Sequence, residues 1–353
     1  MKILFLPNFR VTRLPSDDPS ILTSNKIVGS DAYWFFRHMP EVDVEVLDNA
    51  TPFPLNLLRD LLKVEIFQPF KALVRQNDYD AVISHSFNAG FVFAILRSFL
   101  SRRTPPHFDI DVGSLNGGKE NNLQIASIRF ALKSVAGILC HSSVNEEFYS
   151  KHFTTANREF VSFGVDPTLF KPLAGKASNN FALSVGSTRR DYATLMNAWR
   201  QIDFPLKIVG SKMSSLENAP NIQLLGVVPI DKLVELVHNS KFVILPFEDV
   251  KYSVGQMTLL QCMAMNKTVI VTSAAGVNDY LLDGDNCLTV RVGNESDIVE
   301  KVNLVLRDKD LTERIASRAR ETVSSRFNEE SMAAEILDFI KRTSSTETSS
   351  TRD

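Results

Sequence analysis

The stretch FVILPFEDVKYSVGQMTLLQCMAMNKTVIVT (242–272) predicts a strand, a polar loop, a helix and a second strand. Both strands are short apolar runs, which is typical of strands buried on both faces of a parallel sheet. The helix begins near Gly255, a residue that permits close backbone approach. Because free N–H groups and the helix dipole attract anions, the first helical turn predicts a diphosphate site. A single amide, Gln261, stands among the apolar residues of this helix.

The same alternation of short apolar runs and helix-length segments extends over most of the chain. The candidate strands are 2–7, 43–48, 79–85, 107–112, 137–142 and 158–164, and then 181–187, 206–210, 222–226, 242–246, 268–272 and 287–292. A Pro/Gly/Ser-rich segment, 172–180, separates the two sets. The pattern predicts an α/β protein with two doubly wound parallel-sheet domains. Ligands of such sheets bind beyond the carboxyl ends of the strands, so we expect a site in a cleft between two domains.

The predicted organisation has four parts. They are an N-terminal domain (1–168), a C-terminal domain (169–328), a C-terminal helix (329–342) that packs back on the N-terminal domain, and a disordered tail (343–353) without apolar anchors. The apolar helix predicted over 89–100 has two interpretations. It lies either on a membrane surface or buried against the sheet.

Composition limits the function classes. The 353 residues are 44% hydrophobic and 23% charged, which is typical of a soluble globular protein. The net charge of −2 argues against a protein that coats nucleic acid. Three widely spaced cysteines indicate buried thiols in a reducing compartment rather than disulfides or a zinc site. With no signal peptide and no spanning apolar run, we expect a cytoplasmic protein.

A second helix entrance follows the strand of SVGSTRRDYATLMNAW (184–199). Arg189 and Arg190 stand at this entrance, where two guanidinium groups would add bidentate donors for phosphate. The alternative is a solvated basic turn. Two such entrances in one Rossmann-like domain favour a nucleoside-diphosphate site.

Other motifs are weaker. DID (109–111) matches the Asp-x-Asp of metal-dependent glycosyltransferases, but the two-domain pattern differs from theirs. GSLNGGKE (113–120) is close to a phosphate loop, yet Glu120 stands where a Mg²⁺-binding hydroxyl is required. The dinucleotide fingerprint G-x-G-x-x-G is absent after the first strand, which disfavours an oxidoreductase.

Five segments together resemble the retaining, GT-B-fold glycosyltransferases of family 4. They are FVSFGVDPTLFKP (160–172), SVGSTRRDYATLMNA (184–198), NIQLLGVVPIDKLVELVHNSKFVILP (221–246), GQMTLLQCMAMNKTVIVTSAAGVNDYLLDGDNCLTVRV (255–292) and SRARETVSSRFNEESM (317–332). The resemblance implies the GT-B fold, with two Rossmann-like domains facing a central cleft. It is strongest from 158 to 330.

The resemblance also implies a set of donor-binding residues. They are Gly29, Ser187, Arg189, Arg190, Gly226, Val227, Val228, Ser253, Val254, Gly255, Gln256, Met257 and Gln261. The family carries a Glu-x7-Glu pair, and Ser253 and Gln261 stand at its two positions here. A glutamine can still bind the ribose hydroxyls but without charge assistance. Glu248 or Asp249 would replace the missing sugar-binding carboxylate.

Three residues are the candidates for the chemistry. The diphosphate leaving group requires anion stabilisation, which we assign to Arg190. Asp111 ends a strand of the first domain at the position where the family has a His or Asp that faces the reacting sugar, and His85 is another strand-end residue directed at the cleft. Each has a structural alternative, because a strand-end aspartate caps the next turn and a strand-end histidine often bonds a main-chain carbonyl.

The resemblance implies transfer of a sugar from a nucleoside-diphosphate sugar to a hydroxyl acceptor, with retention and without a metal or other cofactor. A glycan, a lipid-linked sugar or a small molecule would be the acceptor, with a peripheral contact at the inner membrane face. Two alternatives stay open: a GT-B-fold nucleotide-sugar epimerase and a non-catalytic nucleotide-sugar-binding relative.

Overall fold

The computed structural model describes residues 1–14, 27–28, 33–50, 52, 66–100, 104–113, 122–153, 157–210 and 219–350, apart from the side chains of 27, 87–89 and 346–350. The chain forms two compact units, Met1–Ser162 with Met332–Asp353 and Phe163–Ser331. The sequence prediction placed the division six residues later, after 168. The residues in between belong to the second unit because Val165 pairs with the segment around Asn328, accepting a hydrogen bond from the N–H of Glu329 and donating one to Phe327.

The first unit is built on a six-stranded parallel sheet. Its strands are β1 (Lys2–Leu6), β4 (Asp43–Val46), β5 (Ala81–His85), β6 (His107–Asp111), β7 (Gly137–Cys140) and β8 (Arg158–Phe160). A separate short pair joins β2 (Thr12–Arg13) to β3 (Ile27–Val28). The described helices are α1 (Phe67–Arg75), α2 (Phe87–Ser98), α3 (Asn122–Leu132) and α4 (Ser143–His152), with 3-10 turns at Trp34–His38 and Gln76–Asp78. The strand order is β4-β1-β5-β6-β7-β8.

The second unit repeats the plan. Its strands are β9 (Ala182–Val185), β10 (Leu206–Val209), β11 (Ile222–Gly226), β12 (Phe242–Leu245), β13 (Val269–Thr272) and β14 (Leu288–Val290). Its helices are α5 (Tyr192–Trp199), α6 (Ile230–Asn239), α7 (Gln256–Ala264), α8 (Glu295–Arg307) and α9 (Lys309–Arg326), with a 3-10 turn at Asn278–Tyr280. The parallel sheet has the order β11-β10-β9-β12-β13-β14. The direction of progression therefore reverses between β9 and β12, which is where such sheets bind ligands.

The two faces of the second sheet are buried in separate cores. Val243 and Leu245 of β12 pack with Leu259 and Met263 of α7, whereas Phe242 and Ile244 pack on the other face with Trp199. Successive strand residues point to opposite faces, so a strand covered on both sides must be apolar throughout. The predicted α/β architecture with two parallel sheets is confirmed, and every predicted strand is present.

The chain ends in a long helix, α10 (Glu329–Ser350), whose residues from Met332 onward belong to the first unit. Phe339 packs against Phe108 of β6, and Arg342 bonds Glu159 at 2.7 Å. The helix runs past 342, where we predicted that a disordered tail begins. Thr343, the first residue of the predicted tail, is a buried residue of this helix.

Two sequence predictions for the first unit change in detail. The long segment after β1 predicts, from its sequence, a helix that starts at Gly29 or Ser30. Residues 29–32 lie outside the described residues, and the described part of the segment forms a 3-10 turn over Trp34–His38. Helix α2 is buried against the sheet through Phe93 and Ala94, while Phe99 just beyond it is exposed. Within the described part of the chain, no helix combines the length and apolarity needed to cross a membrane.

Candidate active site

Two loops meet at the carboxyl edge of the second sheet, where its strand order reverses. One loop leaves β9 and carries Arg189 and Arg190, and the other leaves β12 and carries Phe247 and Glu248. A bridge between Arg190 and Phe247 links them, and the N–H of Asp191 donates to the carbonyl of Pro246 at 2.8 Å. The two loops therefore form one paired structure rather than two independent turns.

Arg190 is held rigidly in this structure. Its guanidinium lies 4.3 Å from the centroid of the Phe247 ring, and Nε and Nη1 donate to the carbonyls of Val185 and Thr188 at 3.0 and 2.9 Å. Burial lowers the pKa of Arg190 to about 10, so the group keeps its charge at neutral pH. A fixed cation at the end of β9 is suited to a developing negative charge, because it needs no reorganisation.

Arg189 occupies a different environment from its neighbour. Its backbone has a φ of +53°, and the exposed side chain donates to the hydroxyl of Tyr252 at 2.6 Å and to Oε2 of Glu248 at 3.3 Å. Solvent screens an exposed ion pair of this kind, so it contributes little to stability. Glu248, one of the two suggested replacements for the missing sugar-binding carboxylate, is paired with Arg189 in this structure.

Helix α7 points its amino end at the same edge of the sheet. Gly255 precedes it with a φ of +78°, and no side chain caps the helix there. A Cβ at Gly255 would collide with the ring of Phe247, so the glycine is required both for the backbone angle and for space. First-turn N–H groups and the positive end of a helix dipole are groups that attract anions. Met257 in this turn is half-exposed.

Gln256, predicted to bind the donor, turns its side chain into the protein. The residue is 5% exposed, and Nε2 donates to Oγ of Ser253 at 2.7 Å and to the carbonyl of Gly276 at 2.6 Å. The predicted contact of Gln256 with the donor could therefore be made only by its main-chain N–H. The side chain instead fastens the loop that carries Ser253 to the turn after β13, a role that spacing in the sequence did not suggest.

Val254, also predicted to bind the donor, is buried in the core with Val250 and Phe247. Only its main chain can face a ligand. Gln261, six residues after Gly255 on α7, is partly buried. It lines a small cavity of about 10 Å³ with Val185, Leu233 and Cys262 among its neighbours. The structure therefore sets the predicted ribose-binding amide against apolar side chains near the end of β9.

The remaining predicted donor residues of this unit lie at the ends of β9 and β11. Ser187 is exposed directly after Gly186. Gly226 has a φ of +67°, and its carbonyl accepts from the N–H of Gly210 at 2.9 Å, which ties the end of β11 to the end of β10. Val227 is 77% exposed, and Val228 is partly buried. All of these residues share the carboxyl edge of the second sheet with Arg190 and α7.

In the first unit, His85 ends β5 inside a group of aromatic rings. The rings of Trp34, Phe9 and Phe5 lie 5.1, 5.8 and 6.3 Å from it. Its Nδ1 lies 3.2 Å from Oδ1 of Asn8, where the ring N–H donates to the amide oxygen. Burial lowers the pKa of His85 to about 3, so the ring is neutral at neutral pH. Gly29, the other donor candidate of this unit, lies outside the described residues.

Asp111 at the end of β6 has contacts typical of a structural carboxylate. It is fully buried, Oδ1 accepts the N–H of Gly113 at 3.0 Å, and Oδ2 accepts from Nδ2 of Asn145 at 2.8 Å. These contacts favour the turn-capping alternative over a group that faces a sugar. The sequence pattern could not separate the two, because both require an aspartate at the end of a strand.

A Ser–His–Asp group that sequence inspection did not recognise lies inside the first unit. Oγ of Ser84 lies 2.8 Å from Nε2 of His107 and 2.5 Å from Oδ1 of Asp109. The serine stands between the other two, whereas in a catalytic triad the histidine does. All three are fully buried, and burial lowers the pKa of His107 and raises that of Asp109. The geometry supports a structural polar network beneath Gly90, which packs closely on Ser84.

Over the described residues, no group of three or more His, Cys, Asp or Glu side chains is arranged to hold a metal ion. Both aspartates of the 109–111 motif are buried, and Asp109 is bonded to Ser84 rather than presented to a ligand.

Comparison with known proteins adds a family match. Residues 182–308 match the model of the family "Glycosyl transferases group 1". Among curated proteins, an uncharacterised glycosyltransferase of Methanocaldococcus jannaschii is 25% identical over 264 residues, which cover 71% of this chain and 72% of that protein. An N-acetyl-alpha-D-glucosaminyl L-malate synthase of Bacillus anthracis is 29% identical over 105 residues, 30% of this chain and 27% of that protein.

Solved structures share the fold over nearly the whole chain. Sucrose-phosphate synthase of Thermosynechococcus elongatus aligns with a TM-score of 0.70 at 14% identity, covering 97% of this chain and 99% of that chain. HepE of Anabaena, solved with UDP-glucose, aligns with a TM-score of 0.70 at 18% identity, covering 97% and 100%. These likenesses establish the GT-B fold, and the family match identifies a glycosyltransferase domain over 182–308.

Proposed function

We propose that this GT-B-fold glycosyltransferase moves a sugar from a nucleoside-diphosphate sugar to a hydroxyl acceptor, with retention of anomeric configuration and without a metal. The proposal rests above all on the paired loops at the switch point of the second sheet. They hold Arg190 over Phe247 beside the uncapped amino end of α7. A fixed cation and a helix N-terminus at one sheet edge are the groups that a departing diphosphate requires.

The roles we propose follow from position. Arg190 and the first turn of α7 would stabilise the diphosphate, and Ser187 and Arg189 would border it. Gln261 would bind the ribose hydroxyls through its amide. Gly226 to Val228 would receive the base, because Gly226 leaves open space at the end of β11 and Val227 is exposed there. Retention, membership of family 4 and the Ser253/Gln261 replacement are supported by the motif resemblance alone.

For the first unit we propose an acceptor-binding role. His85 is a neutral imidazole at the carboxyl edge of that sheet, where ligands of parallel sheets bind. Asp111 is the weaker candidate, because both of its oxygens accept hydrogen bonds from the protein. The acceptor would be a glycan or a lipid-linked sugar used in polysaccharide biosynthesis, and the enzyme would work in the cytoplasm with a peripheral membrane contact.

Thermal unfolding with a panel of nucleoside diphosphates tests the donor site. A nucleotide at 100 times its Kd should stabilise the chain by about 2.7 kcal/mol. The Gln261→Leu variant should lose most of that gain, and Leu282→Ala, an exposed residue of the same unit, should keep it. Absence of a shift with every nucleotide would refute the donor-site assignment.

A second experiment separates the reaction from its alternatives. The full chain is incubated with UDP-, GDP- and dTDP-sugars, and the products are identified by mass spectrometry and NMR. Slow donor hydrolysis or transfer to an added hydroxyl supports the proposal. An epimerised donor without transfer would indicate the epimerase, and binding without any product would indicate a non-catalytic relative.

A further inference from the structure

The amino edge of the first sheet carries a surface that the proposed reaction does not use. Here α2 ends at Ser98, α3 ends at Leu132 and β6 begins at His107. The residues argued above to face ligands lie at the other end of the strands. His107 and Asp111 are the two ends of β6, about 13 Å apart at the rise of a strand. This surface is therefore separate from the carboxyl edge of its own unit.

An apolar pair projects from this edge. Phe99 is 74% exposed and Leu100 is 40% exposed, although both directly follow a helix packed against the sheet. The ring of Phe99 lies 5.4 Å from that of Phe130, and Nζ of Lys133 lies 5.5 Å from the centroid of Phe130. We call Phe99, Leu100, Phe130 and Lys133 the amino-edge patch. Single exposed apolar residues are common, so the exposure of Phe99 and Leu100 alone does not indicate a binding surface.

A cationic groove of about 310 Å³ adjoins the patch and shares Leu100 and Lys133 with it. Arg97 also lines the groove, with 6% of its surface exposed. Its Nη2 donates at 2.7 Å to both Oγ1 of Thr104 and the carbonyl of Pro105, which fixes the guanidinium in place. None of the ten described residues that line the groove is acidic. The groove thus combines the charge of a fixed, largely buried guanidinium with the exposed ammonium group of Lys133, in a space that suits a phosphate ester.

We propose that the amino-edge patch docks the chain onto an anionic lipid surface. A lipid phosphate would lie in the groove against the ammonium group of Lys133, attracted also by the charge of Arg97, and Phe99 and Leu100 would enter the interface below the headgroups. A free phosphate would explain the cations but not the exposed phenylalanine and leucine beside them. Aromatic and aliphatic side chains next to lysine and arginine are the combination that binds the interface of anionic bilayers. This inference rests on the peripheral membrane contact in the proposed function, to which it assigns a site, and it does not depend on the assigned reaction.

Vesicle flotation of the full chain tests the proposal. We expect binding to phosphatidylcholine vesicles containing about 30% phosphatidylglycerol and at least tenfold weaker binding to phosphatidylcholine alone. Phe99→Ser with Leu100→Ser should abolish binding to the mixed vesicles. Lys133→Glu should weaken it about tenfold, because one cation becomes an anion at the lipid surface. Since Lys133 is exposed, this variant should fold normally.

Helix α3, which carries Phe130 of the patch and ends just before Lys133, also offers a matched control. Leu123, at the start of α3 and thus at the opposite edge, is 82% exposed. Leu123→Ser should leave flotation unchanged, and an equal loss in this variant would overturn the proposal. So would a wild-type chain that stays in the soluble fraction with both vesicle types. The nucleotide-induced thermal shift, measured in parallel, shows whether the donor site is intact in each variant.

The same variants would also reveal two other ligands of the groove and the amino-edge patch: a soluble anion and a second copy of the chain. If inorganic phosphate raises the melting temperature of the wild type but not of Lys133→Glu, and no vesicle binds, the groove holds a soluble anion and the lipid proposal is wrong. If light scattering shows a dimer that the Phe99→Ser, Leu100→Ser variant converts to a monomer, again without vesicle binding, the patch is an interface between two copies. That result would also overturn the proposal.

Discussion

The guanidinium of Arg190 lies 4.3 Å from the centroid of the Phe247 ring, although the two residues follow different strands, β9 and β12. The stacking joins the two loops at the reversal point of the second sheet. It also withdraws the arginine from water, which lowers the pKa of Arg190 to about 10 while leaving it charged. A cation anchored in this way can act on a diphosphate without a loss of side-chain freedom during the reaction.

Replacement of Arg190 tests this role. Arg190→Ala should reduce turnover about 10²–10³-fold, the range found when one preorganised donor is removed from an anion site. Arg190→Lys should recover part of the rate, because it restores charge without the planar stacking group. Arg189→Ala is the matched control, and since its ion pair with Glu248 is exposed, the rate should change less than about tenfold. The measurement is the initial rate of each variant at saturating donor. Wild-type turnover in Arg190→Ala would show that Arg190 has no role in the mechanism.

Gly255 should tolerate no side chain. Gly255→Ala meets both a φ of +78° and the ring of Phe247, whereas Gly284→Ala has a similar φ of +74° but no atom within 4 Å. We expect Gly284→Ala to cost about 1 kcal/mol of unfolding free energy from backbone strain. Gly255→Ala should cost about 1–3 kcal/mol more from overpacking.

The same two glycine variants also distinguish an effect on protein stability from an effect on nucleotide binding. Gly255→Ala should weaken nucleotide binding, because the shift of Phe247 disturbs the first turn of α7. Gly284→Ala should leave the nucleotide Kd unchanged. Urea unfolding and isothermal titration of both variants measure these quantities, and equal effects in the two would contradict the role given to the Phe247 contact.

Gln256 should be needed for the geometry of the loop rather than for contact with the donor. Gln256→Leu leaves the carbonyl of Gly276 without its amide donor, which should cost about 1–3 kcal/mol of stability. Gln256→Glu should be no better, since a carboxylate cannot donate to a carbonyl. Ser253→Ala removes one of the two contacts and should have a smaller effect.

In kinetics, we expect Gln256→Leu to raise the donor KM more than it lowers kcat. Combining Gln256→Leu with Ser253→Ala should add little to the first change, because the two residues share a hydrogen bond at 2.7 Å. Fully additive losses in the double variant would show that the two side chains act independently. Met257→Leu, in the same turn but half-exposed, serves as the control.

Acid should destabilise the first unit through His85. Burial lowers the pKa of His85 to about 3, so between pH 6.5 and that value the unfolded chain binds a proton that the folded chain excludes. Stability is therefore lost as the pH falls below about 6.5, by up to about 1.4 kcal/mol per pH unit. His141, with a pKa lowered to about 4, acts in the same direction. His85→Gln should lessen the slope.

The measurement is the unfolding free energy in urea at several pH values between about 7.5 and 4.5. Carboxylates that titrate in the same pH range contribute equally to wild type and His85→Gln. The difference between the two unfolding free energies at each pH therefore reports the contribution of His85. An unchanged slope would show that His85 is already accessible to solvent protons in the folded chain.

Much of the fold could be predicted because it follows from local pattern. Runs such as 242–245 and 269–272 are apolar at every position, and only a strand covered on both faces requires that. The glycine before α7 and the two arginines after β9 also follow from sequence alone, since a helix entrance demands particular residues at particular offsets. The alternation of strands and helices stops at the Pro/Gly/Ser-rich segment 172–180 and begins again after it, and this break indicated two separate sheets.

What the sequence could not decide was the direction in which polar side chains point. Gln256 and Gln261 are both amides on α7, yet one ties the loop to Gly276 and the other lines a cavity near the end of β9. Asp111 accepts hydrogen bonds within its own unit, and Ser84 joins His107 and Asp109 across two strands.

The amino acid sequence by itself thus determined the two parallel sheets and the loops on which the site is built, because hydrophobic periodicity and turn chemistry act between neighbours in the chain. Tertiary structure alone decided which arginine stacks on Phe247, which amide is a structural clamp and which apolar residues stay exposed at the amino edge. Those outcomes depend on contacts between residues that are distant in sequence, and no local pattern encodes them.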